Sequence, residues 1–290
     1  MLKKRVNMGL TTILAIALLA TSSPAQDQAG SSNNAPTPAA VPAAAQSPAA
    51  AAIEQAAKAD KYIFLFFYRA EDEPTQAARQ TFDAAMEKLT GRATFAAVNI
   101  ADPRERALVA KYRLDRAPMP LVLALAPNGA VTRAFPAQFT EGQLEAAFVS
   151  PAMQKCLKAL QERKLIFLCV QNGTTQHNEE AMRGVKEFAA DPQYARTTEI
   201  VLVDPTDAAE ESLLKQFAVD PKTEEAVTVF LAPPGTKVAT YRGATSKDTL
   251  VAAAKTAAKG CDPKSGCCAP KKPANAPAQP QPPGSPKNEP

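Results

Sequence analysis

Tyr62-Ile63-Phe64-Leu65-Phe66-Phe67-Tyr68 is the stretch on which the fold turns. An unbroken apolar and aromatic run of strand length belongs to a strand covered on both faces, because a half-exposed strand would alternate with polar residues. Outward from it, Pro74 opens a helical pattern in which Ala77, Ala78, Phe82, Met86 and Leu89 form one apolar face, and Gly91 stops it. Phe95 to Ile100 reads as a second buried strand and Arg104 to Tyr112 as a short helix. Leu121 to Ala126 is a third strand. Asn128-Gly129 is a hairpin signal leading into a fourth, Ala130 to Phe135. An amphipathic helix over Glu141 to Phe148 closes the unit.

The same order then recurs. Leu165 to Val170 reads as a strand, Asn178 to Ala190 as a helix, and Glu199 to Val203 as a strand. Ala208 to Phe217 is a helix, and Val227 to Leu231 and Lys237 to Arg242 are strands about the Pro234-Gly235 turn. Lys247 to Ala258 is the last helix, and Pro151 to Arg163 is a helix that joins the halves or opens the second. A β-α-β-α-β-β-α unit of about 100 residues given twice predicts two copies of one α/β fold.

The flanks have a different character. Met1 to Arg5 is short and basic, Met8 to Ala20 is apolar, and Ser23-Pro24-Ala25 offers small residues for cleavage. Residues 1–25 are thus expected to be a secretory signal, with an uncleaved anchor as the alternative. Residues 26–50 are expected to be an Ala/Pro-rich linker, 51–150 and 151–259 the two domains, and 260–290 a disordered Cys- and Pro-rich tail. No other apolar stretch is long enough to span a membrane, so the mature chain is expected to be soluble, in the periplasm or secreted. Lys3, Lys4, Arg5 and the tail lysines account for the net charge of +4, and residues 51–259 are balanced. That balance, with no basic run outside the tail, argues against nucleic-acid binding.

In its first half the chain resembles the thioredoxin family. The resemblance rests on the strand Phe95-Ala96-Ala97-Val98-Asn99-Ile100, the helix Leu108-Val109-Ala110-Lys111-Tyr112, the Asn128-Gly129 hairpin and Gly142-Gln143-Leu144 of the last helix. Pro118, six residues after Tyr112, stands at the spacing of the family's cis-proline. The resemblance implies two tandem thioredoxin-like domains, each a central mixed sheet flanked by helices. It also locates the family's Cys-x-x-Cys pair, and here Asp72-Glu73-Pro74-Thr75 stands in its place. The proline is kept and both sulfurs are absent. Asp72 suits a helix N-cap and Pro74 a first-turn proline. Neither the carboxylate of Asp72 nor the hydroxyl of Thr75 can exchange with a disulfide, so no redox catalysis by the family mechanism is expected. In the second half Gln171 to Gln176 has no such pair, and Ala226 takes the proline's place after Lys222-Thr223-Glu224-Glu225.

What such a fold retains is a groove beside that proline, where an extended peptide can pair by strand addition. Pro118, Met119 and the loop Arg69 to Thr75 are the groove candidates, and the expected partner is an extended peptide or an envelope protein. The competing reading uses the tail. Cys261, Cys267 and Cys268 can bind Cu(I) or Zn(II), can exchange with disulfides, or can close a small loop. No other cofactor is implied. A structural spacer is a third reading. Cys169 lies within an apolar strand and reads as a buried thiol, a bridge between Cys156 and Cys169 remains open, and His177 reads as a surface residue near a helix start. Asn172-Gly173-Thr174 matches a glycosylation acceptor, a short and unspecific pattern.

Overall fold

The structure, a computed structural model, describes residues 47–259. The expected leader, nearly all of the linker and the tail with Cys261, Cys267 and Cys268 lie outside the described residues. β1 (Tyr62–Tyr68) is an inner strand of a four-stranded sheet ordered β2 (Ala93–Asn99), β1, β3 (Leu121–Leu125), β4 (Val131–Pro136). It runs parallel to β2 and antiparallel to β3, which is antiparallel to β4. The apolar run has the predicted consequence: Tyr62, Phe64 and Phe66 pack under α2 (Glu73–Leu89) and α4 (Glu141–Glu145), while Ile63, Leu65 and Phe67 face α1 (Pro48–Lys58) and α3 (Arg106–Tyr112). Phe64, Phe66 and Phe67 are fully buried, and each such ring contributes about 1.5–3 kcal/mol relative to exposure.

The second half has the same plan. Its sheet is ordered β6 (Thr198–Val203), β5 (Leu165–Val170), β7 (Val227–Ala232), β8 (Thr236–Arg242), with the same parallel and antiparallel pairings. α5 (Pro151–Gln161) and α7 (Glu211–Phe217) cover one face, and α6 (Asn178–Ala190) and α8 (Lys247–Lys259) the other. The likeness extends to irregularities. A register shift falls at Ala124/Leu125 in one half and at Phe230/Leu231 in the other. Left-handed residues end α1 and α5 (Asp60, Arg163) and α3 and α7 (Arg113, Ala218). The chain is therefore an α/β protein with two four-stranded mixed sheets flanked by helices, the thioredoxin-like layout built twice.

Three local expectations are corrected. β2 is an edge strand in which only Ala93 and Val98 are buried, and Phe95 is 49% exposed. Having a partner strand on one side only, it is not enclosed as β1 is. The last helix of the first half ends at Glu145, short of Phe148. Beyond it Val149 is held by Tyr62, whose Oη donates to the Val149 carbonyl at 3.1 Å and accepts from its N–H at 3.0 Å. Ser150 is then extended ahead of Pro151, as a residue preceding proline tends to be. Finally, α1 begins at Pro48, inside the stretch expected to be linker. Its Ser47-Pro48-Ala49 start has a twin at Ser150-Pro151-Ala152, a helix-start signal hidden in the Ala-rich composition.

Candidate functional site

β1 delivers the chain to a loop, Arg69 to Asp72, and then to the start of α2. Asp72 is the N-cap: its backbone is extended (φ −84°, ψ 172°) and its Oδ1 accepts from the Thr75 N–H at 3.0 Å. The Thr75 side chain first, and its backbone N–H second, hold the exposed Asp72 carboxyl below the usual range for aspartate. Thr75 itself is buried. The two positions expected to replace the cysteines are thus a solvent-facing carboxylate and an enclosed hydroxyl, and they form the helix cap between them. Such a pair can anchor a helix and accept hydrogen bonds. It offers no thiolate.

Leu121 pairs with Phe67, so β3 starts at the end of the sheet where β1 stops. Segment 118–120 and the loop 69–72 therefore leave the sheet at the same end, and Arg69 Nη2 donates to the Asp115 carbonyl at 3.3 Å across the gap. Pro118 is exposed, and Met119 is half-buried against the α1 and α3 side of the sheet. The cis bond is not at Pro118. It is the Met119–Pro120 peptide, two residues later and directly ahead of Leu121, where β3 begins. Met119 is then the residue whose N–H and C=O border the gap, and its N–H has no backbone partner among the described residues. A shallow depression nearby, lined by Pro74, Ala77, Thr81 and Phe139, lies on α2, and neither Pro118 nor Met119 lines it.

The corresponding loop of the second half is built differently. Asn172 N–H donates to Thr175 Oγ1 at 2.9 Å, Asn178 Nδ2 to the Asn172 carbonyl at 2.7 Å, and Asn172 Nδ2 to Asp204 Oδ1 at 2.9 Å. Hydrogen bonds from Thr206, backbone then side chain, and from Asn172 keep the Asp204 carboxyl low. The loop ends at His177, which is exposed, has a left-handed backbone (φ 61°) and makes no side-chain cap bond to α6. Gln176 forms a parallel bridge with Glu225: its N–H donates to the Glu224 carbonyl at 2.8 Å, and Ala226 N–H donates to its carbonyl at 2.9 Å.

Cys156 and Cys169 are free, buried thiols on opposite faces of the second sheet, so no bridge joins them. Desolvation is the main cause that pushes each thiol up to about 12, far from the thiolate needed for exchange. Among the described residues no group of three or more His, Cys, Asp or Glu is placed to hold a metal ion. No helix among them is long and apolar enough to cross a membrane.

Sequence reasoning missed one pair of residues. Glu105, buried in the first half, accepts from Ser47 Oγ at 2.5 Å and from Ala49 N–H at 3.1 Å. Glu210, buried in the second, accepts from Ser150 Oγ and from Ala152 N–H at 2.9 Å. Each carboxylate thus fastens the start of α1 or α5 from across its own half. The signal was present as Asp102-Pro103-Arg104-Glu105 and Asp207-Ala208-Ala209-Glu210, in which each Asp side chain caps the turn that presents the Glu.

These features define an α/β chain with two four-stranded mixed sheets, in which the loops after β1 and β5 carry no cysteine. No family model matches it, and no curated protein does. Among solved structures, parts of it are similar to the germline-specific thioredoxin Deadhead of Drosophila melanogaster, at 25% identity over 32% of this chain and 81% of that one, with a TM-score of 0.26. Thioredoxin f2, solved in complex with ferredoxin:thioredoxin reductase, matches at 18% identity over 35% of this chain and 86% of its own, with a TM-score of 0.28. A malarial protein matches at 15% identity over 30% and 92%, with a TM-score of 0.26.

Proposed function

We propose that this chain is an exported, non-catalytic tandem thioredoxin-like protein, an adaptor or chaperone-like module that holds an extended peptide, or an extended segment of an envelope protein, beside Pro118 and Met119. The observation that carries this reading is the start of α2. There the Asp72 carboxylate accepts from Thr75 N–H at 3.0 Å, and no thiolate is available. The open N–H of Met119 at the same end of the sheet supplies a group to which an extended chain can add. The periplasm or the medium is the proposed location, on the strength of residues 1–25.

The test uses S-carboxymethylated insulin B chain carrying a fluorophore, with binding to the whole protein followed by anisotropy. Saturable binding, weakened at least about tenfold by Met119→Asp, is expected; a tenfold loss is about 1.4 kcal/mol. Binding that Met119→Asp leaves unchanged would remove the groove from the account. Chemistry at Cys261, Cys267 and Cys268 is the competing reading, as a thiol–disulfide oxidoreductase or a carrier of Cu or Zn. Disulfide reductase activity that persists with Ser at all three positions would overturn the non-catalytic reading. Activity or metal that disappears with those sulfurs would favour the tail.

A further inference from the structure

We propose that residues 171–178 are a built-in occupant of the second half's groove, so that the chain offers one site to an extended polypeptide and not two. The peptide part rests on the function proposed above; the closure of the second groove stands by itself. Val227 and Leu121 open equivalent strands, so Glu224, Glu225 and Ala226 occupy the places of Pro118, Met119 and Pro120. At these places the second half is already paired. Gln176 donates to the Glu224 carbonyl and accepts from Ala226 N–H, the two bonds of a parallel strand addition.

The positions around the bridge are used as well. The Ala226 carbonyl accepts from Gly243 N–H at 2.8 Å, and the Glu225 carbonyl accepts from Thr223 Oγ1 at 2.8 Å. The loop is pre-shaped to reach them, since Asn172, Thr175 and Asn178 bond one another and Asp204 ties Asn172 down. A competing peptide would have to displace a segment whose ordering is already complete, and would gain only an exchange of equivalent bonds.

The first half cannot close itself in this way. The bridge needs the N–H that Ala226 contributes, and Pro120 has none. Only the Pro118 carbonyl could serve, which leaves half a bridge. Proline at 120 in place of alanine, together with the shorter loop 69–72 in place of 171–177, thus separates a groove that stays open from one that fills itself.

Amide hydrogen exchange on the whole 15N-labelled protein tests this. Ala226 and Gln176 amides should exchange at least about tenfold more slowly than expected for an open chain, and the Met119 amide should not. Gln176→Pro removes the donor to Glu224 and should speed Ala226 exchange at least about tenfold, with Leu168 in β5 still protected as evidence of an intact fold. Gln176→Ala, which keeps the backbone N–H, should leave Ala226 slow. Fast Ala226 exchange in the wild type, or protection that Gln176→Pro leaves intact, would overturn the proposal. So would S-carboxymethylated insulin B chain perturbing the 224–226 amides of the wild type. A probe that perturbs neither half would defeat the peptide-holding function alone, because Ala226 exchange reads the closure without any ligand.

Discussion

The two halves share their sheet order, their register shifts and their buried glutamates, yet they differ at the loop where function is expected. In the first, β1 ends in a short loop before the Asp72 cap of α2, and the Met119 N–H beside it has no backbone partner among the described residues. In the second, a longer loop folds onto Glu224–Ala226 and pairs with it. Elements that a repeat needs in order to fold have been kept in both copies; the Glu224 carbonyl and the Ala226 N–H are paired in the second, while the Met119 N–H of the first has no backbone partner among the described residues. Duplication here preserves the scaffold and distinguishes the sites, as expected when function resides in loops carried by a rigid frame.

The comparison breaks most visibly at Gly184. A Cβ there would lie 1.8 Å from the Thr245 carbonyl oxygen, where α6 meets the approach to α8, while α2 contains no glycine at all. Gly184→Ala should destabilise the protein by at least about 3 kcal/mol in urea unfolding, since backbone must move to admit the methyl. A loss below about 1 kcal/mol would mean that the two long helices are not packed so differently.

The glutamates test the opposite side, the sameness. Glu105→Ala and Glu210→Ala each leave a serine hydroxyl and a helix N–H without their buried acceptor, and each should cost about 2–3 kcal/mol. Costs differing by more than about 2 kcal/mol would show that the repeated arrangement does not carry repeated energetics.

Tyr62 sharpens the difference again, because its counterpart opening β5 is Leu165. Tyr62→Phe removes both bonds to Val149 and should cost about 1 kcal/mol in the same measurement. Stability unaffected by the loss would remove this hydroxyl from the junction before α5.

The smallest effect concerns the two helix starts. Asp72 caps α2 with a carboxyl whose folded-state pKa is lowered, so its stabilisation is present above the ordinary aspartate range and is lost as pH falls through the lowered value. The gap in Tm between wild type and Asp72→Ala should therefore be open at neutral pH and should narrow in acid. A gap independent of pH would contradict the cap. His177, at the start of α6, makes no such bond.

Much of the fold was legible because burial writes itself into sequence. Tyr62 to Tyr68 could be a strand enclosed on both faces and little else, and Asn178 to Ala190 carried its helical period to both ends. Edges were less legible. Phe95 to Ile100 is apolar enough to read as buried, but exposure depends on which strand lies outermost, and that is a property of the sheet. At the site, the loss of cysteine and the capping by Asp72 could be read directly, whereas the cis bond falls at Pro120 and not at Pro118, because which of the two prolines opens β3 is set by the register of the sheet. The self-pairing of Gln176 with Glu225 and the carboxylate fastenings at Glu105 and Glu210 join residues about 50 to 60 apart in the chain, and local patterning carries no trace of such pairings.

The account stands most directly on which amides respond to a bound chain. Titration of the 15N-labelled whole protein with S-carboxymethylated insulin B chain should shift the Met119 and Arg69 amides while leaving those of Gln176, Glu225 and Ala226 in place. Equal shifts in both halves, or shifts confined to the second, would contradict it.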